Sequence, residues 1–307
     1  MIYTVTLNPS IDYVVRLEKM DLDAVNRIEE DFKLPGGKGI NVSRILKQLA
    51  VPSTAWGYAG GFTGKYIADW LTEEGITTDF SEVSEPTRIN VKIKADHETE
   101  LNGAGPLVSP EARLELEEKF ATLTADDVVV LSGSKPPSLP EDYYQQLIAL
   151  VQKAGATFVI DTTGQELLTS LKSNPLVVKP NHHELADMYG MKASGMTDLI
   201  PYGKQLVADG AQYAIVSMAS DGALFFDGNA VYHGWSPKGT VKNSVGSGDS
   251  MIAGFVGTYL KEKDALAAFR MSLACGSATA FSDDLAKATE IQALLPTITI
   301  KKLEEIA

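Results

Sequence analysis

The sequence predicts an α/β fold: a largely parallel sheet covered on both faces, with a small β subdomain inserted near the start. Three observations predict it. After residue 110, short apolar strand patterns alternate with helix patterns, the signature of strand–helix–strand units. Polar residues close several of those strands, where open α/β sheets place their ligands. Residues 10–34 and 87–108 depart from this rhythm and carry β-prone pieces broken by charges.

The elements follow in order. Residues 2–7 read as a first strand ending at Asn8-Pro9. Pro35-Gly36-Gly37-Lys38-Gly39 punctuates the chain before a helix from Ile40 to about Leu49, with Val42, Ile45, Leu46 and Leu49 on one face. A strand near 54–58 leads to Gly60-Gly61 and a helix around 64–74. In 87–108, Arg88, Asn90, Lys92 and Lys94 alternate with Ile89, Val91 and Ile93, a period of two with one polar face. Val128–Leu131 is a short strand followed by Ser132-Gly133-Ser134. A helix at 141–154 leads to the strand Thr157–Ile160 and then Asp161. Strand 176–178 ends at Lys179-Pro180-Asn181. A helix at 199–209 precedes the strand Tyr213–Ser217, and 223–242 read as hairpins. One domain spanning 1–307 is expected, its lid built from about 10–34 and 87–108.

Composition narrows the function. The 307 residues are 44% hydrophobic, enough for a substantial core, and the net charge of -13 argues against a general nucleic-acid binder. The single cysteine, Cys275, excludes an intramolecular disulfide and a multi-cysteine metal site; in its small-residue run it reads as a buried helical thiol. No apolar run reaches membrane-spanning length and no basic leader opens the chain, so a cytoplasmic protein is expected.

The stretch Asn243-Ser244-Val245-Gly246-Ser247-Gly248-Asp249-Ser250 carries the most chemistry. Glycines 246 and 248 permit a tight turn with exposed N–H groups, and a helix start behind them adds unpaired donors and a positive dipole end. Such a place holds developing negative charge. A carboxylate there repels an anion, unless its task is to take a proton from a hydroxyl beside one. That reading is phosphoryl transfer to an alcohol, with Asp249 as base.

Other candidates are weaker singly. Gly36-Gly37-Lys38-Gly39 with Asn41 allows close ligand approach and supplies a charge, but lacks P-loop spacing. Asp12 reads either as an exposed turn carboxylate or as an acceptor of sugar hydroxyls. Arg88 could grip a phosphate with its fixed fork; Lys92 and Lys94 read as an ordinary solvated face. Adjacent His182 and His183 diverge on a helix and make a poor metal pair. Asn181 and Glu184 could position magnesium through water, or form a helix N-cap with its acid at N3, or both. The loop Ser217-Met218-Ala219-Ser220-Asp221-Gly222 could surround a nucleotide, while Asp221-Gly222 also reads as a plain hairpin turn. A dinucleotide-binding oxidoreductase would need a glycine-rich motif directly after the first strand, where Asn8-Pro9 stands instead. A sugar-phosphate sensor without turnover conflicts with an intact Asp249.

Taken together, Gly36 through Ser43 and Asn243 through Gly254 resemble the PfkB, or ribokinase-like, family of carbohydrate kinases, over nearly the whole chain. Thr4 through Asp12, Thr87 through Lys92 and Leu131 through Pro137 resemble its branch acting on fructose 1-phosphate; a neighbouring branch acts on tagatose 6-phosphate. The resemblance implies a three-layer α/β/α body with a β lid and the acceptor sugar between them. It implies that the sugar's phosphate meets Lys38 and Arg88, helped by Asn90 and Ser132, and its hydroxyls meet Asp12, Gly37 and Asn41. ATP is implied near Lys179, Ser217, Ser220, Gly222 and Gly248. Asn181 and Glu184 match an Asn-x-x-Glu element tied to Mg²⁺, and Asp249 matches the catalytic aspartate, with Gly246, Ser247 and Gly248 facing the transferred phosphoryl. Ser247 departs from the family's alanine there. The expected partners are a phosphosugar, ATP and a second copy of the chain docked lid to lid, with no nucleic acid and no membrane.

Overall fold

The computed structural model describes residues 1–192 and 195–306. The first half contains β1 (Ile2–Thr6), β2 (Ser10–Arg16), β3 (Glu30–Gly36), α1 (Lys38–Gln48), β4 (Ser53–Ala59), α2 (Gly61–Glu73), β5 (Thr77–Glu82), β6 (Arg88–Lys94), β7 (Glu98–Leu101), α3 (Pro110–Lys119), β8 (Val128–Ser132) and α4 (Tyr143–Lys153). The second contains β9 (Thr157–Asp161), α5 (Gly164–Leu171), β10 (Val177–Val178), α6 (His182–Tyr189), α7 (Met196–Ala208), β11 (Tyr213–Ser217), β12 (Ala223–Phe226), β13 (Ala230–Gly234), α8 (Ser247–Glu262), α9 (Ala265–Ala280), α10 (Ala288–Leu294) and β14 (Ile300–Glu305).

The body is a ten-stranded sheet in the order β14-β13-β12-β11-β10-β9-β8-β1-β4-β5. From β5 to β11 every pairing is parallel; β12, β13 and β14 close the edge antiparallel. The all-apolar run of β8 explains itself here. Val129 and Leu131 enter one core cluster, with Val5, Trp56, Tyr143 and Phe158. Val128 and Val130 enter the opposite one, with Ile45, Ile252, Phe255 and Phe269. Successive side chains point to opposite faces, and helices cover both. No helix among the described residues is long and apolar enough to cross a membrane.

The lid is a second sheet, β3-β2-β6-β7, running parallel between β2 and β6 and antiparallel elsewhere. Its strands extend to Gly36 and stop at Leu101, so the inserted piece runs 10–36 and 88–101. Its base is anchored: Ile11 packs with Ile40, Ile67 and Leu71 of the body helices.

Two expectations need correction. Residues 223–242 hold one hairpin, β12–β13, and 235–246 run without regular structure; charges and glycines there read as turns but pair with no strand. Asp221-Gly222 is not a two-residue turn: Ser217 pairs with Ala223 across a longer loop containing a short 3₁₀ turn at Ala219–Asp221. Within the lid, Val15, Leu17 and Ile93 pack on each other with Tyr13, Met20, Val91 and Ala95.

Candidate active site

The carboxyl ends of β1, β8, β9, β10 and β11 converge below the lid. They floor a cleft of about 1030 Å³. Two helices begin there. α1 starts at Lys38, directly after Gly37, and α8 starts at Ser247, directly after Gly246. Gly246 holds φ +77°, and an added Cβ would stand 2.6 Å from Leu285, so glycine alone fits without rearrangement. No side chain caps either helix, which leaves the N–H groups at the start of α8 directed at whatever fills the cleft.

Asp249 sits in the first turn of α8, 6% exposed. Asn41 Nδ2 donates to its Oδ2 at 2.8 Å. Burial, and next the charge of Asp161, push its carboxyl up to about 6, against the pull of Lys38, Asn41 and Lys179. A carboxylate with that affinity is ionised at neutral pH, yet more basic than an ordinary aspartate.

Asp161, the last residue of β9, is also buried. Its Oδ2 lies 3.2 Å from Lys38 Nζ and its Oδ1 lies 3.8 Å from Lys179 Nζ. Burial pushes Asp161 upward, but Lys179 and Lys38 outweigh it and hold the carboxyl below its usual range. The charge of Asp161, with Asp249 behind it, raises the Lys38 ammonium well above its ordinary value. Two lysines and two aspartates thus meet where α1, β9, β10 and α8 converge. The sequence did not single out Asp161; its one signal was a polar residue at the carboxyl end of a parallel strand.

Asp12 faces the cleft from β2 and accepts from Ser10 Oγ at 2.7 Å and Asn90 Nδ2 at 3.1 Å. Gly37, Lys38, Asn41, Arg88 and Asn90 also line the cleft. Arg88, however, is already engaged: Nη1 donates to the Gly103 carbonyl at 2.8 Å and Nη2 to the Asn8 carbonyl at 2.9 Å. Burial lowers its pKa, and its buried Nε has no partner among the described residues. Ser132 is placed differently from the expectation. It shares the face of Val128 and Val130, is fully buried, and does not line the cleft; the next residues, Gly133 and Ser134, do. Lys92 reverses another expectation. Rather than lying on a solvated face, it lines the cleft with Nζ 3.0 Å from Asp12 Oδ2. The alternation revealed which face it shares, but not that the body covers that face.

At the other end, Lys179, Ser217, Ser220, Gly222 and Gly248 line the cleft, as do Asn181 and Glu184. Asn181 caps α6 by accepting from the His183 and Glu184 N–H groups, while Glu184 Oε2 accepts from the Asn181 N–H at 2.8 Å. The helix cap and a cleft position therefore coexist. Two oxygen-bearing side chains held this way suit a hard cation that keeps its own waters. Cys275 is buried in α9, far up in its thiol pKa through burial alone.

Comparison with known proteins agrees with this geometry. A 1-phosphofructokinase of Bacillus subtilis (strain 168) is 48% identical over 303 residues, covering 99% of this chain and 100% of that one. A D-tagatose-1-phosphate kinase of Bacillus licheniformis is 35% identical over 304 residues, covering 99% of this chain and all of that one. A crystal structure of a putative phosphofructokinase from Staphylococcus aureus superposes with TM-score 0.88 at 43% identity, covering 100% of both chains. The family model for pfkB family carbohydrate kinases matches residues 5–291, a span that holds the lid, both glycine-led helix starts and the cluster of Lys38, Asp161, Lys179 and Asp249. The chain belongs to the pfkB family of carbohydrate kinases.

Proposed function

We propose that the protein transfers the γ-phosphoryl group of ATP to the 6-hydroxyl of D-fructose 1-phosphate, giving D-fructose 1,6-bisphosphate and ADP. The observation that carries this reading is full-length identity of 48% to a 1-phosphofructokinase, on a chain whose Asp249 stands buried at a helix start. In this mechanism Asp249 takes the 6-hydroxyl proton as that oxygen attacks the γ-phosphorus in line, while Asn41 keeps the carboxylate turned to the cleft. The N–H groups at the start of α8 face the charge that spreads over the transferring phosphoryl. Lys38 and Lys179, held apart by Asp161, offer cations to the acceptor and nucleotide sides. Mg²⁺, when bound with ATP, would supply neutralisation of phosphate charge; Asn181 and Glu184 would hold it through water. The lid excludes water, which otherwise competes as acceptor.

The nearer rival is the C4 epimer D-tagatose 1-phosphate, favoured over a 6-phosphate by the 35% identity to the kinase named for it. A coupled ADP-release assay over fructose 1-phosphate, fructose 6-phosphate, tagatose 1-phosphate and tagatose 6-phosphate tests the reading. Fructose 1-phosphate should show the highest kcat/KM; a higher value for any other member overturns the assignment. The same reading places the enzyme in the cytoplasm as a lid-to-lid homodimer.

A further inference from the structure

Lys92 and Asp12 form a closed ion pair on the cleft face of the lid, with Nζ 3.0 Å from Oδ2 and side chains only 13% and 15% exposed. Asp12 Oδ1 is occupied, accepting from Ser10 Oγ and Asn90 Nδ2. This fixes the plane of the carboxylate. Gly36 seals the arrangement from β3, since a Cβ there would stand 2.4 Å from Asp12 Oδ1. What remains is specific. Oδ2 keeps a lone pair beyond the one turned to Lys92, and the ammonium keeps donor protons beyond the one turned to Asp12. An acceptor and a donor about one hydrogen bond apart, both facing the cleft, match two hydroxyls on neighbouring carbons: one donates to the carboxylate, the other accepts from the ammonium.

We propose that Lys92 is a specificity-determining residue that, paired with Asp12, reads a vicinal diol of the acceptor sugar and so distinguishes epimers at that diol. The inference rests on the phosphosugar-kinase reading and deepens it. Inverting one hydroxyl of a ketohexose phosphate at C4 moves it off the line between Asp12 and Lys92. The pair itself persists, but the lone pair or N–H that the hydroxyl had filled then stands unsatisfied in a site closed to water, a stronger penalty than lost contact alone. The pair lies on the lid, away from the four charges around Asp249, so it acts on acceptor binding rather than on phosphoryl transfer.

The test compares wild type, Lys92→Met and Lys92→Arg with D-fructose 1-phosphate and its C4 epimer D-tagatose 1-phosphate, each varied at saturating ATP. Lys92→Met should raise KM for fructose 1-phosphate by about tenfold or more, the scale of one charge-assisted hydrogen bond. It should leave KM for ATP unchanged and shrink the kcat/KM ratio between the epimers by a similar factor. Lys92→Arg, which keeps charge and donors, should restore much of the ratio. An unchanged epimer ratio in Lys92→Met overturns the proposal while the kinase reading stands. Wild-type turnover of neither sugar overturns the kinase reading, and the inference with it.

Discussion

Asp249 is held in a state that an isolated aspartate would not choose. Its carboxyl is raised from 3.8 to about 6, first by burial and then by Asp161. The fold therefore favours the protonated form, and this group's contribution to stability falls as pH rises from about 4 to about 6. Asp249→Asn removes a buried charge whose ionised form the fold disfavours. We expect kcat to fall by ~10²–10⁴ while Tm at pH 7.5 stays level or rises; calorimetry beside steady-state kinetics checks both, and near-normal turnover would remove Asp249 from the role of base. The acid limb of kcat/KM should lie near 6 for the same reason. Asp161→Asn removes the like charge and leaves Lys38 and Lys179 acting on Asp249, so that limb should move to lower pH. A limb that stays in place or moves upward would show that Asp161 does not tune the base. At this scale the sequence was unevenly legible. Asp249 stood out because glycines and a helix start surround it. Asp161 did not, because a single aspartate at a strand end is common and its two lysine partners lie far off in sequence. Ser132 was expected at the cleft, but it closes β8 on the face of the buried Val128 and Val130, and the residues just past the strand, Gly133 and Ser134, line the cleft instead.

Elements obeyed local rules where periodicity was complete. β8, β9 and β11 read as apolar runs because helices cover both their faces, and α1 read as an amphipathic helix because one side meets the sheet. β14 escaped notice: Ile300–Glu305 carries four charged residues in six positions, the pattern of a solvated edge strand rather than a core one. The irregular 235–246 segment escaped because its glycines resemble turn signals, though its task is to lead the chain into Gly246. That glycine is the hinge of the α8 start. Gly246→Ala forces a side chain into a left-handed conformation and against Leu285. A cost of ~1–3 kcal/mol follows from strain and contact together, lowering Tm by several degrees. Because the backbone can relieve the strain only by moving the N–H groups beside Asp249, kcat should fall by tenfold or more while KM for ATP changes less. Thermal unfolding and kinetics of the purified variant decide it; the expected fall in Tm with an unchanged kcat would separate the turn from the chemistry.

Across the whole molecule, the net charge is -13, and the cleft's Lys38, Lys92 and Lys179 stand among Asp12, Asp161, Glu184 and Asp249, so its cations are held by carboxylates rather than spread on an open basic surface. The lid that completes this cleft is only four strands, and its outer side still shows apolar groups. Val15, Leu17 and Ile93 cover each other, but on that face Ile89 is 43% and Leu101 55% exposed, and Leu22 and Val25 in the connection between β2 and β3 are exposed as well. Exposed apolar residues on a sheet with open edges invite pairing. A second lid offers the same surface, and two-fold pairing of like patches closes the assembly rather than propagating it. We therefore expect a homodimer joined through the lids. Light scattering at micromolar protein should give twice the 33.0 kDa chain mass. Ile89→Asp places a charge on that outer side, opposite the cleft-lining Arg88 and Asn90, and should shift the species toward one chain. Because a lid freed from its twin closes less firmly over the sugar, KM for the phosphosugar should rise in that variant while KM for ATP holds. A wild-type mass near one chain, with and without substrates, would mean that the lid is covered by its own body alone, and Ile89→Asp would then leave both mass and KM unmoved.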